Sequence, residues 1–222
     1  MAEEKMMLHI HREIEDLKRR IVLEATMAED NLRDSIRALM NRDAELALEI
    51  VDKDKALDEQ EVEFEEECLK ILALYQPVAV DLRYIVAFLK VNNDIERIGD
   101  LASNIARGAA SLAVKEELAI PADIPVMSEM VQKMLKKSIE ALIDLDHKKS
   151  QKVQNMDDKV DELHHSMYKI VGQRIQEYPD LVDSWMEVLG TSRYLERIAD
   201  HCTNICEDVE YMLSGQIIRH GN

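Results

Sequence analysis

Apolar positions recur along most of the chain at helical spacing. Val91, Ile95, Ile98, Ala102, Ile105 and Ala109 fall within a narrow arc of one helix, a buried stripe whose small members permit close packing by a neighbour. The same periodicity predicts three helical segments per half, over residues 6–50, 52–75 and 78–115 and then 126–152, 155–177 and 180–214. Gln76-Pro77 and Tyr178-Pro179 predict hairpin turns, because proline lacks the helical N–H and biases its predecessor away from helix. Pro121-Ala122-Asp123-Ile124-Pro125 is the only stretch with two prolines and predicts a linker between the halves.

The halves are duplicates. The run from Asp94 to Ala106 (Asp-Ile-Glu-Arg-Ile-Gly-Asp-Leu-Ala-Ser-Asn-Ile-Ala) returns 100 residues later from Tyr194 to Cys206, with Glu, Arg, Ile, Asp, Asn and Ile in register. Upstream the echo runs at an offset of 103, pairing Ser35 with Ser138, Asp43 with Asp146, Asp54 with Asp157 and Asp58 with Asp161. A unit of this length is a half-molecule rather than a solenoid repeat, so two similar sites are expected in one chain. The predicted fold is all-α: two tandem three-helix bundles related by a pseudo-two-fold axis, with repeats over residues 1–120 and 121–222.

Composition narrows the function classes. With 222 residues and 46% apolar content the chain can bury a sizeable core, and scarce Gly, Pro and Phe amid Leu, Ala, Glu and Lys is a helical composition. No run of eighteen apolar residues occurs, and Met1-Ala2-Glu3-Glu4-Lys5 has neither part of a signal peptide; a soluble cytoplasmic protein, not embedded in a membrane, is expected. Three cysteines in no framework fit a reducing compartment. Forty-five acids against 28 basic residues leave a net charge of −17, which repels nucleic-acid backbones and favours cations or basic partner surfaces.

Chemistry enters with the carboxylates. Asp54 and Asp58, Glu96 and Asp100, Asp157 and Asp161, and Glu196 and Asp200 are each spaced i,i+4, which stacks both acids on one helix face. Folding each half at its proline sets Asp54 level with Asp100 and Asp58 with Glu96; about Tyr178-Pro179, Asp157 meets Asp200 and Asp161 meets Glu196. Helix axes in such a hairpin lie about 8–10 Å apart. Four acids on neighbouring helices are a hard-cation arrangement. The competing reading is a solvated acidic face, and Glu96 and Asp100 point away from the buried stripe, which puts any site on the outer surface. Unrelieved like charges at i,i+4 cost about 0.2–0.5 kcal/mol per pair, however, and here the pattern occurs twice. Spacing alone leaves the two readings balanced.

Gln76-Pro77-Val78-Ala79-Val80-Asp81-Leu82-Arg83, Asp94-Ile95-Glu96-Arg97-Ile98-Gly99-Asp100 and Leu195-Glu196-Arg197-Ile198-Ala199-Asp200-His201 together resemble the PhoU family of phosphate-uptake regulators. The likeness runs to Tyr211-Met212-Leu213-Ser214-Gly215 and Ile218-Arg219-His220. It implies two fused three-helix bundles and, in some members, multinuclear surface clusters of iron or other metals held by the acid pairs named above. Iron is the favoured metal, with manganese, zinc or magnesium as alternatives. The resemblance further implies a cytoplasmic homodimer that binds a phosphate ABC transporter ATPase subunit and a sensor histidine kinase, meets the membrane only through such partners, and damps phosphate-starvation signalling. Two departures stand out: Ala199 matches Gly99, and Asp180-Leu181-Val182-Asp183 stands where the first half has Asp81-Leu82-Arg83.

Other constellations compete. Glu162-Leu163-His164-His165 holds the Glu-x-x-His spacing of di-iron bundles, the basis of an alternative reading as a helical metal-storage protein or metal-dependent carboxylate enzyme; such sites need the motif twice, and the first half offers Glu59-Gln60-Glu61-Val62. Cys202 and Cys206 have ligand spacing, yet their counterparts are Ala102 and Ala106, so packing is the expected role. Arg97 and Arg197 are expected either in surface ion pairs with neighbouring acids, the plainer reading, or facing a partner protein. No phosphate-binding glycine loop or nucleophile elbow occurs, and no enzymatic activity is expected.

Overall fold

The structure of the protein is a computed structural model that describes residues 2–215, with side chains from residue 8 onward. The Ile218-Arg219-His220 motif lies outside the described residues. Among those described are six α-helices and no strand: α1 (Ala2–Asn41), α2 (Ala44–Tyr75), α3 (Ala79–Ala113), α4 (Asp123–Asp144), α5 (His147–Glu177) and α6 (Val182–Ser214), with a 3₁₀ turn at Pro179–Leu181. The first three helices pack on one another, as do the last three; α3 against α6 and α1 against α4 join the two bundles.

Two boundaries depart from the apolar periodicity. The first and fourth helices stop at Asn41 and Asp144 rather than at 50 and 152. Each break is a tight left-handed link without glycine. Arg42 (φ 54°) and Leu145 (φ 51°) turn the chain, and the amides of Asp43 and Asp146 donate back to the carbonyls of Ala38 (2.9 Å) and Ala141 (3.1 Å). The same two aspartates then cap the next helix: Asp43 Oδ1 accepts from Leu46 N–H at 3.0 Å, and Asp146 Oδ1 accepts from Lys148 and Lys149 N–H at 2.8 and 3.3 Å. The links are so short that apolar residues on both sides still face the core, and the periodicity runs through them unbroken. The proline-rich stretch is only partly linker, because Pro125 sits in the first turn of α4, where a missing N–H costs nothing.

The whole predicted stripe of α3 is buried, and so are Asn92, Asp94, Gly99, Ser103 and Ala106 beside it. The cause is position: α3 meets α1, α2 and α6 at once. It runs antiparallel to α6, with Lys90 Nζ donating to Asp208 Oδ1 at 2.5 Å and Asn204 Nδ2 to Asp94 Oδ1 at 3.3 Å. Both pairs are centred on Gly99 and Ala199, the same position of the two repeats. Each of α3 and α6 therefore shows its partner the same face, and turns a second arc toward the acids of its own bundle.

Candidate functional site

In the first half the hairpin of α2 and α3 brings the acids together as their spacing requires. One oxygen from each of Asp54, Asp58 and Asp100 lies within 4.8 Å of the other two, a span that a single divalent cation with oxygen ligands at about 2.0–2.6 Å can bridge. Glu96 stands outside this trio but beside it, close enough for Asp100 and Asp58 to act on its charge. Asp54 is only 5% exposed, so the trio is rooted in the interior while Asp58 opens to solvent. The purely outer placement read from the helix face is thereby corrected: α2 and α3 pack too closely to leave Asp54 outside.

That closeness has a residue-level cause. A Cβ on Gly99 would meet Leu57 Cδ2 and lie 3.5 Å from Asp54 Oδ1, so glycine lets α2 settle onto α3 here without displacing the Leu57 side chain. In the second half Ala199 carries the methyl and Val160 replaces Leu57, an exchange of volume between partners that keeps both hairpins packed. Ala199 and Val160 are both buried in the second hairpin.

Electrostatics shows that the acids are only partly compensated. Burial pushes the Asp54 carboxyl up, with Asp58 and Asp100 adding and the Ser103 hydroxyl and Arg107 opposing. Glu96 is pushed up to about 7 by burial first and Asp100 second. Glu96 Oε2 is buried without a hydrogen-bond partner, and the buried Asp54 carboxylate has only the Ser103 hydroxyl beside it. Arg97 helps little: its Nη1 donates to Asp100 Oδ2 at 3.2 Å, and its Nε lies 3.3 Å from Glu96 Oε2 without hydrogen-bond geometry. An all-oxygen set with an orphaned buried carboxylate oxygen fits a hard cation.

The second quartet is related but looser. Asp157 is pushed up to about 7 by burial, then by Asp161 and Asp200, and its Oδ1 is also orphaned. Glu196 and Asp200 rise for the same reason. Yet among the described residues no three oxygens of Asp157, Asp161, Glu196 and Asp200 converge as those of the first half do. Thr203, the counterpart of Ser103, donates to the Asp200 carbonyl at 2.7 Å instead of facing the acids.

Two residues escaped the sequence reading. Glu61 extends the first acid ladder, its carboxyl raised by burial and by Glu65 and Asp58; its spacing from Asp58 was a visible signal. Glu24 on α1 is 2% exposed with Oε1 unpartnered, and burial pushes it up to about 8. A lone acid on an apolar stripe was its only signal.

The rival ligands do not converge: Glu162 and His165, the Glu-x-x-His pair, are both exposed, whereas His164, Cys202 and Cys206 lie in the core. His164 Nδ1 is bonded to Ser192 Oγ at 2.9 Å, and burial lowers its pKa. Cys202 and Cys206 are fully buried, with burial holding both thiols protonated and Cys206 at about 12. None faces the carboxylates as a ligand set, as the packing role implies.

Residues 21–109 and 124–209 each match the family model described as the PhoU domain. The chain belongs to the PhoU family. Among its relatives, the phosphate-specific transport system accessory protein PhoU homolog of Aquifex aeolicus is 35% identical over 96% of both chains. The phosphate-specific transport system accessory protein PhoU of Escherichia coli is 30% identical over 94% of this chain and 86% of its own. The crystal structure of PhoU from Pseudomonas aeruginosa aligns with TM-score 0.89 at 31% identity, covering 93% of this chain and 99% of that one. These names describe accessory proteins, and no helix among the described residues is long and apolar enough to cross a membrane.

Proposed function

We propose that this chain is an accessory regulator of phosphate-specific transport that works by contact and turns over no substrate. The observation that carries the reading is the pair of PhoU domains together with identity to named accessory proteins over nearly the full length. In this reading a homodimer in the cytoplasm links the transporter ATPase to a sensor histidine kinase and lowers phosphate uptake and starvation signalling when phosphate is plentiful. A net charge of −17 suits docking onto basic partner faces, and such binding weakens as salt screens it. Deleting the gene should leave phosphate-regulon genes expressed in phosphate-rich medium, and the cloned gene should restore repression. Normal repression in the deletion strain would overturn the reading.

Metal binding is the second part of the proposal. The convergence of Asp54, Asp58 and Asp100 supports it, with Glu96 alongside and the quartet of Asp157, Asp161, Glu196 and Asp200 as a weaker counterpart. Iron is favoured, and manganese, zinc and magnesium are alternatives. A bound cation would neutralise acids that now repel one another. Elemental analysis of protein purified without chelator, followed by calorimetric titration with Fe²⁺, Mn²⁺ and Zn²⁺, should show uptake that disappears in a Glu96→Gln, Asp100→Asn, Glu196→Gln, Asp200→Asn variant. Unchanged uptake in that variant would refute the assignment, and catalytic Fe²⁺ oxidation by the native protein would favour the carboxylate-enzyme alternative.

A further inference from the structure

The crossing of α3 and α6 is symmetric in register but not in content. At one end Lys90 fills the space beside the crossing, its Nζ bonded to Asp208 and 5.1 Å from the centre of the Tyr211 ring. The duplication carries Lys90 onto Gly190 and Asp208 onto Gly108 at the other end. Both side chains of the ion pair are missing there. A cavity of about 590 Å³ opens at that end, lined by Tyr168, Glu187, Gly190 and Tyr194. Its volume is in the range of ligand pockets.

The cavity keeps an acid, Glu187, and aromatic faces, and neither of its two lining cations, Arg193 and Lys115, is paired with that acid. Glu187 Oε2 lies 3.3 Å from where a Cβ on Gly108 would stand, so its carboxylate reaches the vacated position. Glu187 is half-buried and makes no side-chain hydrogen bond or ion pair among the described residues. Of the two cations in the lining, Arg193 lies over the Tyr194 ring at 5.6 Å and acts on Glu196, while Lys115 lines the cavity without an ion pair to Glu187. Exposed Tyr168 and Met186 line the opening and offer apolar area to a polypeptide rather than to a small ion.

We propose that this cavity seats a lysine side chain presented by a partner protein. Its ammonium bonds the Glu187 carboxylate, and its stem lies along the rings of Tyr168 and Tyr194, reproducing between molecules what Lys90 does within this one. The contact-regulator reading supplies only the kind of partner; the cavity is testable alone. The probe is a capped five-residue peptide with a central lysine, titrated into the ¹⁵N-labelled full chain and followed by amide shifts. Expected are shifts confined to residues around 108 and 183–194, weakened by salt and absent with a norleucine peptide. Gly190→Lys should fold normally, since a Cβ there meets only Tyr194 Cε2 at 3.8 Å, and should abolish the response by filling the seat from within. Glu187→Gln should abolish it as well without filling anything. An equal response to norleucine, a stronger one to a glutamate peptide, no response at all, or persistence in both variants would each overturn the proposal. Any of these would leave the deletion phenotype, which tests phosphate regulation, unaffected.

Discussion

At the scale of single residues, glycine and buried acid decide how the first carboxylate site is built. Gly99→Ala should cost about 1–3 kcal/mol in urea unfolding, because its methyl meets Leu57 Cδ2 where the helices are closest. Combining it with Leu57→Val, the pairing that the second half uses, should recover much of that loss. The acids themselves make stability fall with rising pH. Glu96 has an ordinary value of 4.5 and is raised to about 7 in the fold, and Asp157 goes from 3.8 to about 7. A raised folded value means that the native state holds the proton longer, so their contribution is full below the ordinary value and is lost as pH rises through the folded one. In chelator, the urea midpoint should therefore decline between about pH 4.5 and 7. Saturating divalent cation should flatten that decline, while the part owed to Glu24, which is raised to about 8 away from the acid trio, should persist until Glu24→Gln removes it.

At the scale of elements, the two left-handed links are the least legible joints and the most sharply specified. Asp43→Ala and Asp146→Ala should each cost about 0.5–2 kcal/mol, the range for a lost N-cap. Asp146 should cost the more, since it accepts from two amides where Asp43 accepts from one. Thermal melts of the two variants check both the size and the order. The duplicated Asp43 and Asp146 were visible in the sequence as a repeat; their capping role was hidden because the apolar rhythm crosses the turn.

At the scale of the whole molecule, the duplicated halves share one antiparallel seam. Lys90→Met should destabilise the fold by about 1–3 kcal/mol, because Asp208 is 8% exposed and loses its cross-bundle cation. His201 Nδ1, bonded to Asp94 at 2.8 Å, gives the seam a third polar tie that the first repeat lacks, since Leu101 occupies the matching place. Double variants at Lys90 and His201 should lose additively in urea unfolding if the ties act independently, and coupling beyond about 0.5 kcal/mol would show that they act as one network.

The all-α class, the duplication, the proline hairpins and the level acid pairs were determined by the sequence itself, because each depends only on spacing along a helix and distance from a turn. Helical periodicity could place Glu96 and Asp100 on the outer arc of α3, but it could not show that Asp54 sinks beside Gly99. It also treated both quartets alike. Convergence of three oxygens in the first half alone was decided by tertiary packing, through side-chain volumes at Leu57 and Gly99 and the orientation of Ser103. The same holds for the cavity beside Gly190. A missing side chain becomes an opening only when another helix crosses it at that level, and that crossing is set by how the two bundles dock.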